Sequence, residues 1–174
     1  GLVTGGLIGI TAAYFGGWVD AALMRFVDVL LAFPGLLLAL SVITFLGPGL
    51  VNTMIAIGIG GIPGYARLMR GEVLSLLERD YVSAARALGA HDLRIMAKHL
   101  LPLAISPIIV YSTAQLARAI LAEAGLSYLG LGVQPPFPSW GGMIASGQRF
   151  FFNAPHMAIY PGLAIIGIVF ALNL

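Results

Sequence analysis

Most of the residues able to do chemistry in this chain stand in one place. Arg67, Arg70, Glu72, Glu78, Arg79, Asp80, Arg86, Asp92, Arg94 and Lys98 are gathered into a single polar island, with His91 and His99 among them. They form no catalytic constellation. Ser127 lies in Leu-Ser-Tyr and not in the Gly-x-Ser-x-Gly elbow of a hydrolase. There is no cysteine, which excludes disulfides and thiolate metal sites. His91, His99 and the outlying His156 show no metal-ligand spacing. No Gly-x-x-x-x-Gly-Lys-[Ser/Thr] phosphate loop is present. The expectation is a chain that is not an enzyme and that holds no cofactor and no metal. What remains is docking chemistry, carried by charges, by small residues that admit a partner's backbone, and by apolar residues beside them.

Tyr81-Val82-Ser83-Ala84-Ala85-Arg86-Ala87-Leu88-Gly89 and His91-Asp92 through His99-Leu100-Leu101-Pro102 read as two short helices around a glycine hinge. Alanine favours helix and leaves little side-chain bulk. Gly89 suits a left-handed helix end. Asp92 stands where a helix dipole favours an anion. Pro102 is expected to end the second helix and begin the next apolar segment. Leu88, Leu93, Ile95 and Met96 are expected to be exposed, and exposed apolar surface beside charge marks an interaction site. The plainer alternative is a solvated loop with two surface helices and no partner.

The elements around the island are apolar. Of 174 residues, 59% are hydrophobic and 9% charged, with mean hydropathy +0.97, where a soluble domain carries roughly 25% charged residues. The net charge of +2 gives no footing for a nucleic-acid partner. These numbers describe an all-α, polytopic bundle in a lipid bilayer, organised as one domain over residues 1–174. Residues 1–19 make a first apolar segment, broken by Asp20, Arg25 and Asp28. From Val29 to Ala66 no residue is charged, too long a run for one span of about 20 residues. Gly47-Pro48-Gly49 divides it, giving spans near 29–46 and 50–67. Further spans are expected at about 103–122 and 157–174, and Arg67 to Asp80 as a helix continuing out of the third span. The chain starts at Gly1 and stops at Leu174 inside apolar segments, so it is expected to be the middle of a longer protein.

Charge sets the orientation. Arg25, Arg67, Arg70, Arg79, Arg86, Arg94 and Lys98 fall on one side, with Arg149 opposite. The positive-inside rule then makes the 67–99 loop cytoplasmic. Within the apolar part, Gly5-x-x-x-Gly9 and Gly60-x-x-x-Gly64 read as close helix packing, or as kinks that let helices rock. Arg118 either snorkels or lines a pathway. Glu123 is a functional candidate as an intramembrane acid, or a capping group near the interface. The Pro135–Trp140 loop is either an outer contact surface anchored by Trp140 or a rigid packed loop.

The island resembles the cytoplasmic loop of bacterial ABC-importer permeases, with the pattern Glu-Ala-Ala-x3-Gly-x9-Ile-x-Leu-Pro. Ala84, Ala85, Gly89, Leu101 and Pro102 match it, while Ser83 stands at the Glu position and His99 at the Ile position. Ala13-Tyr14-Phe15-Gly16-Gly17-Trp18-Val19-Asp20, Asp28-Val29-Leu30-Leu31-Ala32-Phe33-Pro34 and Gly64-Tyr65-Ala66-Arg67 are similar to one branch of that superfamily. So are Glu123 through Pro136 and Pro138-Ser139-Trp140-Gly141. The branch is the dipeptide/oligopeptide/nickel permease family, in its second, C-type subunit. The resemblance covers nearly the whole chain. It implies a type I permease with about five of six spans present, in the cell (inner or plasma) membrane. It also implies a coupling loop at about 80–102, carried by Ser83, Ala84, Ala85, Gly89, Asp92, Leu101 and Pro102. The implied partners are a second permease subunit, two ATP-binding cassette ATPase subunits and an extracytoplasmic substrate-binding protein. The implied cargo is a di- or oligopeptide, with nickel or another small solute open. A secondary transporter and a non-transport membrane scaffold are the alternatives. The first would need internal repeats and mid-membrane ionisable groups, and neither is clear here.

Overall fold

The computed structural model describes Gly1–Asn173; the last residue of the expected 157–174 span lies outside the described residues. Among the described residues every regular element is helical: α1 Leu2–Phe15, α2 Gly17–Leu31, α3 Gly35–Leu46, α4 Leu50–Leu77, α5 Asp80–Ala87, α6 Asp92–Ile95, α7 Leu101–Tyr128, α8 Trp140–Gln148 and α9 His156–Asn173. A π-helical turn, Met96–Leu100, joins α6 to α7.

Three expectations about boundaries change. The charged stretch 20–28 is not a loop, because α2 runs through it. Its carboxylates are neutralised by partners on α4: Asp28 accepts from Arg67 at 2.7 Å and Asp20 from the forked Arg70 guanidinium at 2.6 Å. The span placed at 29–46 is two helices, since the chain leaves helix at Phe33-Pro34 and α3 begins at Gly35. Proline drives the residue before it out of the helical region. Pro102 does not stop a helix either. The Leu101 N–H bonds back to Met96 O, one residue further than in an α-helix. That wider turn is a recognised way to keep a helix going past a disruption. Asp92–Tyr128 is therefore one helical stretch of 37 residues.

This stretch and α9 are each long and apolar enough to cross a bilayer, and α2 with α3 would add a third as one broken span. The five expected segments are thus distributed differently. α1 is a shorter apolar helix of 14 residues. In α4 the apolar run is diluted by Asn52, Thr53 and its charged C-terminal part.

The described residues form two compact units. The first holds Gly1–Phe33 and Gly61–Ser112. Its core joins Ile10 and Ala13 of α1, Tyr65, Met69 and Val73 of α4, Val82 of α5, Ile95 of α6, Leu100, and Ala104 and Ile108 of α7. Two glycines make the α1–α4 contact possible. A Cβ on Gly5 would lie 2.5 Å from the Ile62 carbonyl, and one on Gly9 would lie 2.8 Å from Met69 Cβ. The Gly5-x-x-x-Gly9 spacing is therefore a packing device in this structure, as small residues are between membrane helices. Tyr65 is also used twice: its hydroxyl donates to Ser112 Oγ at 3.2 Å and its ring meets Tyr111 edge-on at 5.1 Å.

The second unit holds Pro34–Gly60 and Thr113–Leu174, and is described over its residues up to Asn173. Ala39 and Ile43 of α3, Ala56 of α4 and Leu126 of α7 form its core. The Asn52 amide donates to the Leu46 and Gly47 carbonyls, closing the end of α3 where Gly47-Pro48-Gly49 was expected to turn. Gly141 lies on the Ala124 carbonyl and Gly147 on the start of α9, so α8 packs tightly on both sides.

Candidate functional site

The candidate site is the charged connector between α4 and α7. Its local construction follows the sequence closely. α4 continues to Leu77, Arg79 breaks the helix in an extended conformation, and α5 covers Tyr81 to Ala87. At Gly89 φ is +75°, a conformation that costs other residues roughly 1–2 kcal/mol. The Gly89 N–H bonds to Arg86 O and the Ala90 N–H to Ala85 O, which closes the end of α5. Asp92 then opens α6 with its carboxylate in the first turn.

Ser83, Ala84, Gly89 and Asp92 are exposed, whereas Ala85 is half-buried against the core. Leu88 is 88% exposed and Leu93 73% exposed, one on each side of the hinge. Ile95 departs from expectation, for it is fully buried, and Met96 packs partly against the same core. The reason is amphipathic spacing: Val82 and Ile95 are the inward anchors of their helices, and burial of such a side chain is worth roughly 1.5–3 kcal/mol. Leu101 and Pro102 are exposed at the start of α7.

One contact was not legible in the sequence. The Tyr14 hydroxyl on α1 donates to Asp92 Oδ1 at 2.6 Å, and the Arg86 guanidinium carbon lies 5.4 Å from the centre of the same ring. Nothing in the local pattern pairs residues so far apart in the chain.

The other expected site residues belong to the second unit. Arg118 is exposed and donates to Gln115 Oε1 at 3.3 Å. Glu123 accepts from Ser127 Oγ at 2.5 Å, and that oxygen accepts from the Val133 N–H at 3.1 Å. Glu123 thus holds the Ser127 hydroxyl that takes the Val133 N–H in the turn after α7. Trp140 heads α8, a helix the sequence reading did not separate from its loop. The missed signal was Ser139, whose Oγ accepts from the Gly142 N–H at 3.1 Å as an N-cap. A hollow of about 500 Å³ lies between the 127–139 turn and α8, lined by Tyr128, Gln134, Phe137 and Met143 among others.

Helical throughout its regular elements among the described residues, with two or three apolar stretches long enough to cross a bilayer, the chain is a membrane protein. Comparison with known proteins gives the group: the chain belongs to the family described as binding-protein-dependent transport system inner membrane component, which matches residues 5–174. It is 44% identical over 174 residues to a glutathione transport system permease protein of Pectobacterium atrosepticum, covering 100% of this chain and 58% of that relative. It is 45% identical over 161 residues to the corresponding permeases of Escherichia coli and Shigella boydii, covering 92% of this chain and 53% of each. The chain therefore spans about half the length of the curated relatives it matches. The family is one of transport permeases and not of enzymes.

Proposed function

We propose that this chain is part of the permease subunit of an ATP-driven ABC importer for peptide-like solutes. It would form half of a translocation pathway with a second permease subunit. Two ATPase subunits would supply the hydrolysis and an extracytoplasmic binding protein the solute. The peptide-like cargo rests on the relatives, whose names specify glutathione.

The observation that carries the coupling role is the connector's surface. Leu88 and Leu93 are exposed in a stretch that also carries Arg86, Asp92 and Arg94, while Val82 and Ile95 fix their helices to the body of the first unit. That arrangement offers a partner two apolar side chains on a rigid support. On this reading the connector, about residues 80–102, lies in the cytoplasm and seats in a groove of an ATPase subunit. ATPase closure then biases the permease between inward- and outward-facing states. A partner can shift such an equilibrium only by binding the two states unequally. Ser83, Ala84, Ala85, Gly89, Asp92, Leu101 and Pro102 are proposed to form or support this seat. Arg118 and Trp140 are proposed as pathway or outer-surface residues, and Glu123 as the support of the outer turn.

The test is reconstitution of the full-length protein with its partners in liposomes. Solute uptake that needs the ATPase and ATP is the expected result. Uptake driven by an ion gradient would make it a secondary carrier, and no uptake under any condition would make it a scaffold.

A further inference from the structure

The connector's two helices meet at the short turn Leu88–His91 and in one core, where Val82 of α5 and Ile95 of α6 are buried together. One side chain spans the turn. The Tyr14 ring lies beneath Arg86 of α5, and the Tyr14 hydroxyl donates to Asp92 of α6 at 2.6 Å. A hydroxyl–carboxylate bond of that length belongs to the strong, charge-assisted class. Tyr14 sits near the end of α1, and α1 meets α4 backbone-to-backbone at Gly5 and Gly9. Contacts this close leave little room for sliding. A second line of contacts, beside the shared core, therefore runs from both short helices through Tyr14 into α1 and on to α4.

We infer that Tyr14 is a positioning residue for coupling: it holds α5 and α6 at a fixed angle and joins them to α1, so that movement imposed on the connector reaches the helical body as one piece. This rests on the proposed docking of the connector to an ATPase. Tyr14 itself touches neither nucleotide nor solute. Its contribution lies in how much import each hydrolysed ATP yields.

The experiment uses full-length permease reconstituted with its partner subunits and binding protein, carrying Tyr14→Phe, Asp92→Ala, both together, or Leu88→Asp. Tyr14→Phe keeps the ring under Arg86 and removes only the hydroxyl. The readouts are ATPase affinity for the permease and solute imported per ATP hydrolysed. With Tyr14→Phe, ATPase affinity stays at the wild-type level while imported solute per ATP falls about fivefold, the lower end of ordinary coupling between sites. The double variant is no worse than the more severe single one, because both break the same bond. A wild-type ratio in Tyr14→Phe overturns the inference, and so does strict additivity in the double variant. If Tyr14→Phe fails to assemble, Tyr14→Leu, which also lacks the hydroxyl, decides by the same ratio. Leu88→Asp separates this from the parent reading: retained ATPase affinity there defeats the docking itself, whatever Tyr14 does.

Discussion

Replacing Leu88 and Leu93 together with aspartate isolates the docking surface from the fold. Both side chains are largely uncovered in the folded chain, at 88% and 73% exposure, so it loses almost no packing. Exposed substitutions of this kind change stability by no more than about 0.5 kcal/mol. Docking is different. Burying a leucine from a nearly exposed state is worth roughly 1.5–3 kcal/mol. Scaled by these exposures, the pair offers about 2.5–5 kcal/mol. At about 1.4 kcal/mol per tenfold, that is a weakening of the ATPase complex by about 50-fold at least. The assay titrates purified ATPase onto full-length permease in nanodiscs, with a thermal melt run beside it. The prediction is an unchanged melt and a Kd raised by about 50-fold or more. An unchanged melt with a Kd within threefold of wild type would refute the reasoning, because the two leucines would then not be buried by the partner.

Three further outcomes follow from the packing. Gly9→Val should destabilise the α1–α4 contact by about 1–3 kcal/mol, since its Cβ would meet the Ala66 carbonyl and Met69; a detergent-unfolding titration reads this, and a neutral result would mean that α1 sits elsewhere. Asp20→Asn should lower the melting temperature more than Asp28→Asn. The Asp20–Arg70 pair is forked and only 22–34% exposed, whereas Asp28–Arg67 is 52–58% exposed, where such pairs are worth at most about 1 kcal/mol. The order of the two melts, measured at low and high salt, checks this. Gly89→Val should reduce coupled transport while costing about 1–2 kcal/mol of local stability, because valine resists φ near +75°; amide exchange at Leu88–Ala90 reports it.

How much was legible divides along a physical line. The connector was readable because its determinants are local: the alanines of α5, the glycine at its end and the acid opening α6 act on their own backbone. The helical nature of the apolar segments was readable from length and composition alone. What escaped depended on distant partners. Asp20 and Asp28 looked like loop residues until Arg70 and Arg67 were seen to neutralise them. Pro102 looked like a stop because the π-turn that accommodates it depends on the backbone of the preceding residues. Ile95 looked exposed because it lies in a charged stretch between apolar segments, yet it shares a core with Val82, Leu100 and residues of α4. Tyr14 gave no sign of its role, since Asp92 is 78 positions away. The hydroxyl of Ser139 could have marked the start of α8, as a serine just ahead of an apolar run is a known signature.

The central claim is that the connector faces the cytoplasm and is covered there by an ATPase. The chain has no cysteine, so Leu88→Cys gives a single reporter at an exposed point of the connector, in a full-length protein otherwise cleared of thiols. Labelling with a membrane-impermeant maleimide should succeed in inside-out vesicles stripped of ATPase, fail in spheroplasts, and fail again once ATPase is added back. Labelling in spheroplasts, or labelling that added ATPase leaves untouched, would contradict the account.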